Sequence, residues 1–315
     1  MGGLPSEGIL SIVMLMRRLA LKVDVDTLRG TREGVPALVQ LLSAHCAQAT
    51  FLFSLGPDHT GRAIKRVFRR GFIGKVQRTS VLEHYGLKTL LYGTLLPGPD
   101  IGLATAPLMR SVAKAGFEVG IHTWDHTAWQ DQLHQRPAQW ARSQLAHAQR
   151  RFADVFGALP KGHGAAGWQM TEDALEWLED EGFTWASDGR GQSPFFPLLR
   201  GREARCLQLP TTLPTLDELI GIDGVTVPTV AQALLDRTAA NPCDSHVFTL
   251  HAELEGQRLL PVFEALLKGW RQQGYELVSL GQLAAQLDPD SIPRHPMLQG
   301  TVPGRSGTLA VQGTA

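Results

Sequence analysis

The stretch that most constrains the fold of this chain is the end of one apolar run. Residues 19–23 are mostly apolar and predict a buried strand, and Asp24 and Asp26 follow directly. Because strand side chains alternate between faces, these two carboxylates point the same way. Two carboxylates side by side repel each other unless a cation lies between them or one of them is protonated. The stretch therefore predicts a strand with a charged functional site at its carboxyl end.

A second apolar run, residues 116–121, leads into a pair of histidines, His122 and His126. Their spacing would place both imidazoles on one face of a helical turn, and the preceding run places them at the end of a strand. Taken alone, such a pair is more often a feature of the surface or the core than a ligand pair. Together with one carboxylate, however, two imidazoles suit a divalent metal ion with open positions for water and substrate. The other carboxylate is then available as a base.

A third strand end carries the same kind of group. His251 ends the apolar run of residues 248–251, and a parallel barrel presents its catalytic groups at the carboxyl ends of its strands. Three strand ends that each carry an acid or an imidazole are hard to obtain by chance. They indicate the active site of a hydrolase on an α/β fold.

The composition fits one large α/β domain and excludes some partners. The chain has 315 residues, of which 43% are hydrophobic and 19% charged, and barrels of about 250 residues commonly fold as one unit. The formal net charge of zero argues against a general nucleic-acid binder. Cys46, Cys206 and Cys243 are scattered, without a Cys-x-x-Cys pair, and we expect reduced thiols in a cytosolic compartment.

The residues at these strand ends also resemble a known family. Asp24 and Asp26, the His-Thr-x-x-His sequence of 122–126 and the Thr-Leu-His sequence of 249–251 are similar to motifs of the polysaccharide deacetylase (NodB-homology) family. Longer stretches resemble the deformylase branch of that family, namely residues 24–36, 165–168, 187–188, 212–221 and 251–256. The resemblance implies a distorted (β/α) barrel of the polysaccharide deacetylase type, carrying a basic helical insertion.

The resemblance also implies roles for six residues. Asp26, His122 and His126 would hold the divalent ion, which could be zinc, manganese, cobalt or nickel, because affinity order alone does not choose between them. Asp24 would act as general base, and His251, oriented by Asp188, would protonate the departing amine. The wider family has an arginine that holds the catalytic aspartate near residues 162–168, and no arginine occurs in this stretch.

For the substrate, the resemblance implies a formamido sugar linked to undecaprenyl phosphate, with formate and an amino sugar as products. Another deacetylase of the family, acting on N-acetylated sugars or peptidoglycan, is the main alternative, and an inert sugar or lipid binder is a third. The residues predicted to contact substrate are Arg29, Arg32, Trp168, Arg190, Asp217 and Glu218. A core tryptophan and solvated loop arginines are equally plausible for Trp168 and for the Arg29–Arg32 pair.

Residues 58–102 interrupt the alternation of strands and helices and are predicted to be an insertion. Basic side chains alternate here with bulky apolar ones at helical spacing, a pattern that suits the anionic surface of a bilayer. The basic residues are Arg62, Lys65, Arg66, Arg69, Arg70, Lys75, Arg78 and Lys88. We expect peripheral attachment to the cytoplasmic face of the inner membrane; a solvated helix face or a surface for a partner protein are the alternatives.

The predicted organisation has a barrel between two terminal segments. Residues 1–18 are expected to be a non-native or flexible extension, with Met14 or Met16 as the true start; a short membrane-touching segment is the alternative. Residues 19–287 are expected to form the barrel. Residues 288–315 are rich in Pro, Gly, Ser and Thr and are expected to be a loosely ordered tail.

Overall fold

The computed structural model describes residues 17–63, 88–200, 202–240, 243 and 245–314. Most of the predicted insertion and nearly all of the predicted N-terminal extension lie outside these residues. The first strand begins at Arg17 rather than at Leu19.

The described elements alternate between strands and helices. The strands are β1 (Arg17–Val25), β2 (Thr50–Ser54), β3 (Glu118–Thr123), β4 (Gly162–His163), β5 (Trp185–Ala186), β6 (Phe196–Leu199), β7 (Arg202–Glu203), β8 (Leu207–Gln208), β9 (Ser245–His251), β10 (Tyr275–Val278), β11 (Arg294–His295), β12 (Met297–Gly300) and β13 (Leu309–Gln312). The helices are α1 (Val35–Ala44), α2 (Ile101–Lys114), α3 (His126–Gln132), α4 (Ala138–Phe156), α5 (Glu172–Asp180), α6 (Leu216–Leu219), α7 (Val230–Ala240), α8 (Leu260–Gln272) and α9 (Leu280–Ala284).

The main sheet is parallel and curls into a distorted barrel, which confirms the predicted fold class. Its strand order is β10-β1-β2-β3-β4-β5-β8, and β9 pairs with β1. Beyond β8, the amides of Thr212 and Leu213 donate to the carbonyl of Val247 in β9, at 3.1 and 3.3 Å. The chain after β8 therefore returns to β9, and the sheet curls towards closure.

Burial on both sides explains why the strands are apolar. Every residue of β2 is buried, and so are the last seven residues of β1, as expected for parallel strands that are covered by helices. The helices bury one face each; α4 does so with Ala141, Leu145, Ala148, Phe152 and Val155. Among the helices of the described residues, none has both the length and the hydropathy that crossing a membrane requires.

The tail differs from its expectation. Residues 297–300 and 309–312 form an antiparallel hairpin, β12–β13, and Leu309 and Ala310 are buried. The amide of Arg190 donates to the carbonyl of Ala310 at 2.9 Å, and the amide of Gln312 donates to the carbonyl of Arg190 at 2.7 Å. The composition of the tail predicts a loosely ordered segment. Composition carries no information about a pairing partner that lies more than a hundred residues away, so it could not reveal this hairpin's contacts.

Candidate active site

The predicted site residues of β1, β3 and β9 meet at one edge of the sheet. Asp24 in β1 is the register partner of His251 in β9, and neighbouring strands lie about 4.8 Å apart. His122 is the fifth residue of β3, and His126 is the first residue of α3. Asp24, Asp26, His122, His126 and His251 are called the catalytic edge below.

Asp26, His122 and His126 form a compact group of potential metal ligands. The Nε2 atom of His122 lies 3.2 Å from Oδ1 of Asp26, and Nε2 of His126 lies 3.4 Å from Oδ2. One ligand atom from each residue can be chosen so that all lie within 4.8 Å of one another. The two histidines do not share a helical turn as their spacing suggested, because His122 lies in a strand and only His126 is helical.

The tautomer of His122 supports a cation at this position. Its Nδ1 atom lies 2.7 Å from the carbonyl oxygen of Gly164, so Nδ1 carries the proton and Nε2 of the neutral ring carries a lone pair. That lone pair faces Oδ1 of Asp26, a buried atom without a hydrogen-bond partner among the residues that the structure describes. Two acceptors at this distance repel each other unless a proton or a metal ion lies between them. The donor set of one carboxylate and two imidazoles fits a divalent metal ion.

The electrostatics of the three ligands also favour a cation. Burial alone would raise the pKa of Asp26, but His126 and His122 hold that pKa well below its usual value, so Asp26 is a carboxylate. Burial lowers the pKa of His126. Burial acts in the same direction on His122, but Asp24 and Asp26 outweigh it and raise the pKa of His122. The same negative charges of Asp24 and Asp26 that raise the pKa of His122 also favour a metal cation at this position.

Asp24 has a partner that the sequence analysis missed. The Nζ atom of Lys22 lies 3.4 Å from Oδ2 of Asp24, and both side chains are buried. Lys22 also donates to the carbonyl of Ser187 at 2.9 Å. Lys22 therefore places a positive charge beside Asp24. The sequence analysis expected that charge from an arginine, and residues 162–168 contain none. The signal was present, because Lys22 and Asp24 alternate along β1 and therefore share a face.

Two further acids hold the loop that follows β1. Oε1 of Glu253 accepts hydrogen bonds from the amides of Asp26 and Thr27, at 3.1 and 2.9 Å, and from the Thr27 hydroxyl at 2.8 Å. A side chain at Gly30 would meet Glu253 Oε1 at 1.9 Å and would therefore displace this carboxylate from the loop. Oδ2 of Asp58 accepts from the amide of Leu28 at 2.9 Å. Asp58 therefore serves the site loop, although the sequence assigned it to the insertion.

Asp188 does not pair with His251 as predicted. Its Oδ1 atom lies 2.6 Å from Nδ1 of His163, and its Oδ2 atom accepts from the side-chain amide of Gln208 at 3.0 Å. Asp188 thus belongs to a fully buried cluster beneath the site. Within the described part of the chain, Nδ1 of His251 is buried without a hydrogen-bond partner.

Glu255 is the acid that contacts His251. Its Oε2 atom accepts the main-chain N–H of His251 at 2.7 Å, and its Oε1 atom is buried without a partner among the described residues. Burial raises the pKa of Glu255 to about 7, although the nearby charge of His251 acts in the opposite direction.

Four of the predicted substrate contacts gather on one side of the catalytic edge. The guanidinium of Arg190 lies 5.0 Å from the centre of the Trp168 ring, and its Nη1 atom donates to Oε1 of Glu218 at 2.5 Å. Asp217 and Glu218 both contact Arg305, which the sequence analysis did not select. Trp168, Arg190, Asp217, Glu218 and Arg305 are called the Trp168 cluster below. Trp168, Arg190 and Glu218 are buried, and Arg190 contacts both of the others. Burial therefore accounts for much of their role.

Arg29 and Arg32 are placed differently. Nε of Arg29 donates to Oε2 of Glu33 at 2.8 Å, and both arginines lie at a π-helical turn, Gly30–Gly34, just after the site loop. Arg32 is exposed. Their contact with an anionic group stays a prediction.

Comparisons with known proteins give the family. The model of the family described as polysaccharide deacetylase matches residues 17–186, a range that contains β1 to β5 and all three candidate metal ligands. The chain therefore belongs to the polysaccharide deacetylase family. It is a hydrolytic enzyme of the carbohydrate deformylase and deacetylase class.

Two curated relatives share most of the chain. The protein of Shewanella sediminis named probable 4-deoxy-4-formamido-L-arabinose-phosphoundecaprenol deformylase ArnD is 35% identical over 295 residues, covering 94% of each chain. A protein of the same name from Wigglesworthia glossinidia brevipalpis is 30% identical over 284 residues, covering 90% of this chain and 98% of its own.

A solved structure supports the fold. The polysaccharide deacetylase structure from Mycobacterium smegmatis superposes with a TM-score of 0.60 at 15% identity, over 91% of this chain and 96% of that one. At this identity the likeness supports the distorted barrel and nothing finer.

Proposed function

We propose that this enzyme removes the N-formyl group from 4-deoxy-4-formamido-L-arabinose carried on undecaprenyl phosphate. The products are formate and the 4-amino sugar lipid that serves in lipid A modification and polymyxin resistance. The observation that carries the proposal is the meeting of Asp24, the three candidate metal ligands and His251 at one barrel edge. The two relatives named deformylases support the choice of substrate.

Asp26, His122 and His126 would hold the divalent ion, whose chemistry is to polarise the formyl oxygen and to lower the pKa of water. Zinc, manganese, cobalt and nickel all suit this donor set. The carbonyl of Gly164 keeps the proton of His122 on Nδ1 and so presents Nε2 towards the ion.

Asp24 serves as general base. Its carboxylate is buried, and Oδ1 has no hydrogen-bond partner among the described residues, so it is free to accept a proton from the attacking water. Lys22 balances the charge from the Oδ2 side, 3.4 Å away. A base in this environment is expected to accelerate the reaction about 10²- to 10⁴-fold.

His251 serves as general acid on the opposite side of the amide. It is the register neighbour of Asp24 across β1 and β9, so base and acid flank one substrate position. The amine is a very poor leaving group until it is protonated, and His251 donates the proton that it needs. Glu255 fixes the main chain of His251 through the 2.7 Å hydrogen bond.

The Trp168 cluster provides a wall for the sugar. Asp217 suits the ammonium group of the product, because Arg305 and His251 together outweigh burial and hold the pKa of Asp217 below its usual value. Arg29 and Arg32 are the cations proposed to meet the phosphate, whereas the guanidinium of Arg190 is buried and already donates to Glu218 and to the carbonyls of Thr211 and Leu213.

The test is a comparison of matched substrates. We expect formate release from the formamido sugar lipid and much slower acetate release from its N-acetyl counterpart. Equal or faster acetate release would contradict the deformylase assignment and favour a deacetylase of N-acetylated sugars or peptidoglycan. Absence of turnover on both, with metal bound, would favour an inert sugar or lipid binder.

We also propose peripheral attachment to the cytoplasmic face of the inner membrane. Exposed leucines occur where the described chain resumes after the basic segment: Leu95 is 77% exposed, and Leu91 and Leu96 are 37% and 38% exposed. Nε of Arg62 donates to the carbonyl of Gly93 at 2.9 Å and so holds this loop beside a basic residue. Apolar and basic side chains together suit an anionic bilayer surface.

Vesicle flotation tests this attachment. Binding to anionic vesicles should exceed binding to neutral ones, weaken with salt and fall in Leu95→Ser. Leu159→Ser is the matched control, because Leu159 is 66% exposed after α4. Equal loss in both variants, or unchanged binding in Leu95→Ser, would contradict the proposed surface and favour a partner protein.

A further inference from the structure

Arg305 reaches the active site from the far end of the chain. It lies between β12 and β13, in the segment that composition predicts to be loose. The hairpin is fixed against the barrel by the main-chain bonds of Arg190 to Ala310 and Gln312, and by the side-chain amide of Gln169, which donates to the carbonyl of Thr308 at 2.8 Å. These hydrogen bonds hold the strand that follows Arg305 against the barrel.

The guanidinium of Arg305 contacts two acids of the Trp168 cluster. Nε donates to Oε1 of Glu218 at 2.8 Å, and Nη2 lies 3.2 Å from Oδ2 of Asp217. Nη2 also donates to the hydroxyl of Thr215 at 3.2 Å. The planar fork of arginine supports several such bonds at once, which a lysine cannot reproduce.

The preceding residue shows that this close approach is built into the backbone. Gly304 has a φ of +84°, and a side chain there would meet the carbonyl oxygen of Glu218 at 2.6 Å. Glycine is therefore required both for the conformation and for the contact with α6. The tail therefore packs against α6, the helix that carries Asp217 and Glu218.

Arg305 also lies against Trp168. Its guanidinium is 4.8 Å from the centre of the indole ring, a distance at which a cation and an aromatic ring attract each other. Trp168 has a φ of +53°, unusual for a bulky residue, and such a conformation persists only where the surroundings hold it. The same ring lies 5.4 Å from Nζ of Lys22, which pairs with the proposed base Asp24.

We propose that Arg305 is a positioning residue of the active site. It holds the Trp168 ring and the Asp217 carboxylate in the arrangement that binds the sugar, so that the C-terminal segment completes the substrate pocket. This inference rests on the proposed deformylase reaction, since it assigns the Trp168 cluster to substrate binding.

The experiment compares Arg305→Gln with Arg294→Gln. Arg294 is a matched control, because it lies in the same tail, pairs with Glu203 and lies over an aromatic ring, Phe196, away from the Trp168 cluster. We expect the KM of Arg305→Gln for the formamido sugar lipid to rise about tenfold, with a smaller change in kcat. Arg294→Gln should match the wild type. Arg305→Lys should fall between, because it keeps the charge and loses the fork.

A chemical rescue separates positioning from stability. Guanidinium ion at low concentration should restore part of the lost kcat/KM of Arg305→Ala, whereas sodium at equal ionic strength should not. If Arg305→Gln unfolds, Arg305→Lys carries the kinetic test. Wild-type KM in a folded Arg305 variant, or equal effects at Arg305 and Arg294, would overturn the inference.

A measurement without substrate distinguishes this inference from the proposed function. Amide hydrogen exchange in residues 165–169 should be faster in Arg305→Gln than in Arg294→Gln, because Trp168 loses its support. Equal exchange would overturn the positioning role. An inactive wild type with the expected exchange difference would instead contradict the deformylase reaction alone.

Discussion

The catalytic edge and the Trp168 cluster adjoin each other but are constructed differently. The proposed metal ligands, base and acid lie on or just beyond strand ends, where the register of a parallel sheet fixes neighbours such as Asp24 and His251. The cluster gathers side chains from a short turn, one loop, α6 and the tail. Its geometry depends on side chains that hold one another, whereas the edge depends on the backbone.

The difference suggests a division of tasks. Groups that exchange protons or bind a metal need positions fixed to a fraction of an ångström, which strands supply. A surface that recognises a sugar can be built from side chains of separate segments, provided that ion pairs hold these side chains together. Variants of the catalytic edge should therefore lose rate, and variants of the Trp168 cluster should lose affinity.

The largest effect is expected for Asp24→Asn. The amide cannot accept the proton of water, so kcat should fall about 10³-fold while the metal stays bound, since Asp24 is not a proposed ligand. Single-turnover formate release with metal content measured on the same sample checks this. Turnover near the wild-type rate would rule out Asp24 as the base. It would also weaken the expectation that variants of the catalytic edge lose rate whereas variants of the Trp168 cluster lose affinity.

A smaller effect is expected for Lys22. Lys22→Met keeps the buried volume but leaves the Asp24 carboxylate without its countercharge and the Ser187 carbonyl without its donor. We expect kcat to fall about tenfold to a hundredfold, and Lys22→Arg to retain most of it. If Lys22→Met changed KM and left kcat unchanged, Lys22 would belong functionally with the Trp168 cluster and not with the catalytic edge.

At Glu255 we expect an effect on stability rather than on rate. Burial raises the pKa of this carboxyl from its ordinary 4.5 to about 7 in the folded state. The folded chain then binds the proton more tightly, so the free energy of unfolding falls as pH rises from about 4.5 to about 7 and levels off above. The fall is about 3 kcal/mol.

Glu255→Gln should remove this pH dependence. Denaturant unfolding at several pH values between 4.5 and 7 measures it, with Glu203→Gln as the control, because the side chain of Glu203 in β7 is exposed. An unchanged slope in Glu255→Gln would show that another group produces it.

The sequence predicted the catalytic edge well because its signals are local. Strand alternation and apolar runs locate Asp24, Asp26, His122, His126 and His251, and the resemblance adds their expected roles. The pairing of Asp188 with His251 was wrong, because the partner of Asp188, His163, comes from β4 and no spacing rule connects the two.

The Trp168 cluster was predicted only in part. Its members were chosen as separate substrate contacts, but the structure shows ion pairs among them. Arg305 was missed because it lies in a segment whose composition indicates disorder. Long-range pairing decides its position, and a single sequence carries no record of that pairing.

The most direct test of the account is the metal content of three proteins. The wild type should bind one divalent ion per chain, Asp24→Asn should still bind one, and Asp26→Ala should bind none at the same metal concentration, measured by elemental analysis after dialysis. Binding in Asp26→Ala as tight as in the wild type, or loss of the ion in Asp24→Asn, would contradict the assignment of ligand and base on which the proposed function depends.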